Sequence, residues 1–168
     1  MIGNDIVDLE LAKVQSNWKR KGFLDKIFTI NEQNVIHKSL NPAVEIWKLW
    51  TRKEAAYKIY NRQTGIRGYF PRKLECSTEE IKSDYSDGFV AIEDETYYTQ
   101  TFVNEDYVYS IAVTSVQNLK KIVLVHPDKK IIKINDLPYI QDSIKPVSIT
   151  HHGRFNRIVT LLDSQIFF

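Results

Sequence analysis

Three groups of residues in this sequence have types and spacings that could do chemistry. The first lies on a helix expected from Pro42 to about Arg62. At ~100° per residue, Ile46, Trp47, Leu49, Trp50, Ala56, Tyr57 and Tyr60 share one broad arc, and Lys48, Thr51, Arg52 and Arg62 fall opposite. Glu54 lands inside the apolar arc one turn beyond Trp50; Lys53 also lies within it, and Lys58 sits at its edge. A carboxylate among tryptophans must be protonated, paired or bound to a cation. An i,i+4 ion pair between Glu54 and Lys58 is the plain structural alternative. The second group is Asp5 and Asp8 near the start. A carboxylate at a strand end could meet Glu54 across the fold, and two hard oxygen ligands with phosphate oxygens and water suit Mg²⁺. The structural alternative makes Asp8 a helix cap and puts Asp5 in a turn. The third is Ser148-Ile149-Thr150-His151-His152-Gly153-Arg154, whose hydroxyls, imidazoles and guanidinium at a strand end suit phosphate. Adjacent histidines on a strand point to opposite faces, so the two do not share one ion.

These groups need elements to hold them. Ile2 to Glu10 reads as a strand running into a helix, and residues 11–27 look helical with a break at Gly22. Thr29 and Glu32 match a capping box that opens a helix to about Leu40. Asn41-Pro42 ends it and starts the helix of Glu54, which Gly65 and Gly68 stop. Past Tyr69 the pattern changes to short β-branched and aromatic runs separated by turn residues: 89–92, 97–103, 107–116, 121–125, 131–134, 147–150 and 157–162. The expectation is an α+β fold, helices mainly in the first third and an antiparallel sheet after it.

Composition narrows the function classes. The 168 residues fit one domain with a real core, and 43% hydrophobic with 26% charged is ordinary for a globular chain. A net charge of +2 demands no long basic nucleic-acid face. Nine tyrosines and three tryptophans leave a single-strand binder to consider, but Trp47 and Trp50 lie on the apolar face of a helix, where core is the better reading. The lone Cys76 cannot form an internal disulfide, and neither a signal peptide nor a membrane-spanning run is read, so a cytoplasmic setting is expected, with no membrane or nucleic-acid partner. There is no P-loop, G-x-G-x-x-G or HExxH.

Taken in order, the motifs resemble the 4′-phosphopantetheinyl transferase superfamily. The carrying residues are Ile2-Gly3-Asn4-Asp5-Ile6-Val7, Phe28-Thr29-Ile30-Asn31-Glu32, the W-[ST]-x-K-E-A-x-x-K block Trp50 to Lys58, the loop Thr64-Gly65-Ile66-Arg67-Gly68, and Ser148-Ile149-Thr150-His151 for S-x-S-H. Asn4 and Thr150 depart from the usual residues, and Val7 stands where longer members have a third acidic ligand, so the chain is most similar to the short holo-acyl-carrier-protein-synthase type. The resemblance implies one domain over residues 1–168, with about 77–130 as an insertion. It implies that Asp5 and Glu54 bind Mg²⁺, that Glu54 and Lys58 are catalytic, and that Lys53, Lys58, Ser148, Thr150 and His151 bind coenzyme A. It further implies an apo carrier protein as partner, release of 3′,5′-ADP, and a homo-oligomer, expected as a trimer. A non-catalytic module of the same fold, binding a carrier or a nucleotide without turnover, is the alternative.

Overall fold

The computed structural model describes residues 1–162, so residues 163–168 of the expected domain lie outside it. In chain order the elements are β1 (Ile2–Asp8), α1 (Leu9–Gln15), α2 (Phe23–Ile27), α3 (Ile30–Lys38), α4 (Pro42–Thr64), β2 (Glu75–Ile81), β3 (Ser86–Ile92), β4 (Glu95–Val103), β5 (Tyr107–Val113), β6 (Ile122–Leu124), β7 (Ile131–Ile134), β8 (Leu137–Ile140), β9 (Lys145–Pro146), β10 (Ser148–His152) and β11 (Phe155–Leu161). The fold is α+β, as the residue pattern predicts, and every strand pairing is antiparallel.

A five-stranded sheet in the order β1-β5-β4-β3-β2 is the centre of the molecule. The segment expected as an insertion supplies β3, β4 and β5 to it, and β5 pairs with β1 along its whole length, Asp5 opposite Ser110. Strands within residues 77–113 are therefore part of the central sheet. Strands β3, β4 and β5 fall on the runs read at 89–92, 97–103 and 107–116, whereas β2, mostly exposed and without an apolar alternation, is not among them.

Helix α4 covers one face of this sheet. Its Ala55, Ala56, Ile59 and Tyr60 pack with Val90, Ile92, Tyr97 and Ala112, and its Ile46, Trp47 and Leu49 pack with Val7, Val108, Phe28 and Ile36. The wheel predicts Thr51 and Arg52 on the outer side; both are buried. Arg52 donates from Nε to Thr101 Oγ1, from Nη1 to Thr78 Oγ1 and from Nη2 to Ser86 Oγ, at 2.7, 2.8 and 2.8 Å. A single amphipathic arc underestimates a helix that is covered on more than one side.

The helix starts and stops follow the sequence. Thr29 and Glu32 form the capping box, Asn41 caps α4 with Pro42 in its first turn, and Gly65 closes it. The stretch 11–27 is helical in two pieces, and Gly22, where the break is expected, is the N-cap of α2. On the second face of the central sheet, Ile2, Ile6, Tyr109, Ile111 and Val113 pack against Val159 of β11, which belongs to a three-stranded sheet β10-β11-β6. Strands β7, β8 and β9 form a third small sheet. Among the described residues no helix is long and apolar enough to cross a membrane.

Candidate active site

Strand β1 and helix α4 touch at Gly3. A Cβ there would sit 2.0 Å from the Ala55 carbonyl oxygen and 3.3 Å from Ile59 Cγ1. The glycine lets β1 lie directly on α4, beside Glu54. Side chains on one face of a strand repeat every second residue, so Asp5 projects on the same face as Gly3 and Val7, toward the helix. Asp5 and Glu54 consequently line one cleft of about 330 Å³, with Ile6, Val7, Trp47, Trp50, His151 and His152 among its other walls.

The two carboxylates disturb each other. Burial, and then the charge of Asp5, push Glu54 up to about 7. Burial also raises Asp5, against the opposing pull of Lys58 and the Thr150 hydroxyl. Burial and the Glu54 charge raise Tyr69 as well. The ion pair of Lys58 is with Asp5 at 3.5 Å, so the i,i+4 pair with Glu54 gives way to a cross-element contact. Lys58 Nζ also donates to Asn4 O at 2.6 Å and Ile149 O at 3.1 Å, which ties α4 to both β1 and β10.

Three of the residues expected to bind the nucleotide have partners within the protein. Lys53 is fully buried and pairs with Glu32 at 2.7 Å, and it donates to the carbonyls of Pro71 and Leu74. Glu32 also accepts from the Thr29 and Cys76 amides, at 2.8 and 2.9 Å. This buried pair gives the Phe28–Glu32 motif a structural purpose: it joins α3, α4 and β2 behind the cleft. Ser148 and Thr150 are buried, and their hydroxyls accept from the backbone N–H groups of Asn4 (2.9 Å) and Ile6 (3.1 Å). Thr150 donates in turn to Asp5 Oδ1 at 2.9 Å, so it orients a cleft carboxylate without facing the cleft itself. His152 completes the row, its Nδ1 accepting from the Asp8 N–H at 2.9 Å. Ser148, Thr150 and His152 thus occupy the outer edge of β1 at every second residue, and His151, on the alternate side of β10, is exposed at the cleft.

Asp8 caps α1 by accepting from the N–H groups of Glu10 and Leu11. Its carboxylate is also gripped by Arg154 through Nε and Nη2, both at 2.9 Å, and by the Arg154 amide at 3.0 Å. These bonds hold Asp8 well below the usual carboxylate range. Gly153 makes room for this: its φ is +53°, and a Cβ there would meet Asp8 Oδ2 at 2.5 Å. The motifs alone do not point to the role of Arg154 or to the inward aim of His152. The alternation Ser148, Thr150, His152 is the available signal, because it puts those three side chains on one side of a strand and His151 on the other.

The chemistry of the donor set matches a hard divalent cation. Asp5 and Glu54 are partly desolvated and repel each other, a cost that a bound cation removes. No group of three or more histidine, cysteine or acidic side chains is spaced for a metal among the described residues, so water and substrate oxygens would complete the shell.

A family model described as the 4′-phosphopantetheinyl transferase superfamily matches residues 1–112. The chain belongs to the 4′-phosphopantetheinyl transferase superfamily. The matched range contains Asp5, Glu54 and Lys58 and runs through β3 and β4 almost to the end of β5, while β10 lies beyond it. A holo-[acyl-carrier-protein] synthase of Caldanaerobacter subterraneus subsp. tengcongensis is 33% identical over 79 residues, which is 47% of this chain and 60% of the relative. One of Alkaliphilus oremlandii is 32% identical over 84 residues, 50% of this chain and 66% of the relative. The match therefore spans less than two thirds of the length of these superfamily members. The crystal structure of Thermotoga maritima holo-[acyl-carrier-protein] synthase superposes with a TM-score of 0.47 at 12% identity, over 96% of this chain and 83% of that one.

Proposed function

We propose that this chain transfers the 4′-phosphopantetheine arm of coenzyme A to a serine hydroxyl of an apo carrier protein. The observation that carries the reading is the meeting of Asp5 and Glu54 in one cleft, each raised by burial, on elements inside the range that matches the superfamily.

Asp5 and Glu54 would hold the Mg²⁺. When bound, the ion supplies positive charge to the diphosphate of coenzyme A, and the rest of the work falls to the protein. The carrier serine Oγ forms a bond to the β-phosphorus, the bond from that phosphorus to the bridging oxygen breaks, and 3′,5′-ADP leaves with the electron pair. Transfers of this kind depend on positioning and charge neutralisation more than on covalent help. Lys58 offsets the charge of Asp5 and would exchange a carbonyl partner for a phosphate oxygen as substrate enters. Glu54, which has no ion pair among the described residues while Asp5 is paired with Lys58, is the cleft carboxylate placed to take the serine proton. His151, exposed at the cleft, is suited to the nucleotide phosphates, whereas Ser148, Thr150 and Lys53 support the site from behind. Assembly as a trimer and a cytoplasmic setting complete the proposal.

The test is incubation with coenzyme A, Mg²⁺ and a panel of apo carriers from fatty-acid, polyketide and peptide synthesis. The expected result is a mass gain of one phosphopantetheine on at least one carrier. Binding of coenzyme A with no mass gain on any carrier would favour a non-catalytic module.

A further inference from the structure

His152 lies beside the residues that the superfamily resemblance picks out, and none of the roles above depends on its second nitrogen. Its Nδ1 accepts from the backbone N–H of Asp8 at 2.9 Å. A backbone amide can only donate, so Nδ1 carries no proton and the neutral ring must hold its proton on Nε2. That bond also fixes the ring against the edge of β1. The ring lines the cleft that contains Asp5 and Glu54. With Nδ1 used by β1, the polar atom left to face the cleft is Nε2–H, and no partner for it is found among the described residues.

Asp5 and Glu54 are acceptors when ionised, and Ile6, Val7 and Ala12 offer no polar side chain, so donors on the cleft wall come from Gln15, Ser16, Trp47, Trp50, His151 and His152. Of the two imidazoles, His152 is the one whose ring is held by a backbone bond to β1, at Asp8. A diphosphate brings acceptors only. We infer that His152 is a substrate-contacting residue, a rigid neutral donor whose Nε2–H bonds a phosphoryl oxygen of the coenzyme A diphosphate; the inference rests on the transferase reading above. The same geometry excludes two other roles. Neither ring nitrogen presents a lone pair to the cleft, so His152 neither takes the serine proton nor ligates the cation.

Two variants separate the contact from the support of β1. In His152→Asn, the side-chain oxygen takes the place of Nδ1 and can still accept from Asp8, but nothing reaches the position of Nε2. In His152→Gln, the amide nitrogen reaches toward that position, and the acceptor for Asp8 is lost. The Asn variant is expected to melt like the unaltered protein while its Kd for coenzyme A, by calorimetry, rises about tenfold or more, the scale of a hydrogen bond to a charged group. The Gln variant is expected to melt lower while keeping most of the affinity. In the unaltered protein, ¹⁵N spectra are expected to show the proton on Nε2 and a change in that resonance on adding coenzyme A. Unchanged affinity and kcat/KM in a folded Asn variant, a proton on Nδ1, or an Nε2 resonance indifferent to coenzyme A would each overturn the inference alone. An unaltered protein that does not bind coenzyme A would overturn the transferase reading and this inference with it.

Discussion

In the proposed role Glu54 combines two conflicting demands: it sits beside Trp50 and Asp5, and it would bear charge to hold a cation. With its folded value at about 7 against an ordinary 4.5, the folded chain binds this proton more tightly than the unfolded chain does. Stability in the absence of metal therefore falls as pH rises from about 4.5 to about 7, and levels off above that. Glu54→Gln removes this pH-dependent loss. The variant is expected to be at least as stable as the parent above neutrality, by up to about 3 kcal/mol, because each tenfold difference in proton affinity between the folded and unfolded chain corresponds to about 1.4 kcal/mol. Its turnover is expected to drop at least about a hundredfold, equivalent to ~2.7 kcal/mol of transition-state stabilisation. Melting curves across pH and a turnover assay with Mg²⁺ titrated, on the same sample, check both halves. A folded variant with near-normal turnover at low Mg²⁺ would remove the support for a metal role of Glu54.

The site is made by the crossing of β1 over α4, and Gly3 sets the spacing. Gly3→Ala places a methyl group 2.0 Å from the Ala55 carbonyl, a backbone atom that cannot swing aside, so β1 must move. A loss of about 1–3 kcal/mol is expected in urea unfolding, together with a larger loss of activity than the folded fraction explains, because Asp5 moves with the strand. Wild-type activity per folded molecule would show that Asp5 does not need this register. What can be read in the sequence divides along similar lines. Helix ends are legible because caps are local: Thr29 with Glu32, Asn41 with Pro42, and Gly65 each act within one turn. Asp5 and Glu54 are legible because a carboxylate in an apolar pattern is conspicuous. The partners of Lys53, Ser148 and Thr150 are not legible in the sequence because they are distant along the chain: Glu32 is 21 residues before Lys53, and Asn4 and Ile6 are each 144 residues from the hydroxyls that cap them. The polar face drawn for α4 fails at Arg52 for the same reason, since Thr78, Ser86 and Thr101 come from three later strands.

At the scale of the whole molecule, one chain brings Asp5, Glu54, His151 and His152 to a single cleft. If the trimer forms as proposed, activity per chain is expected to survive dilution below the trimer's dissociation range. Light scattering and assays over one dilution series check this; activity that falls in step with dissociation would show that a neighbouring copy completes the site. The side-chain row along β1 has a consequence for this assembly. A central sheet normally ends in unsatisfied amides that a foreign strand can extend. Here the amides of residues 4, 6 and 8 are already bound by Ser148, Thr150 and His152, and the Asn4 carbonyl by Lys58. At the opposite margin, β2 carries Glu75, Glu79 and Glu80 and slips register between Thr78 and Glu80. One border of the sheet is sealed and the other is charged and irregular, so both resist lengthening by lateral strand addition from copies of the chain or from an extended peptide.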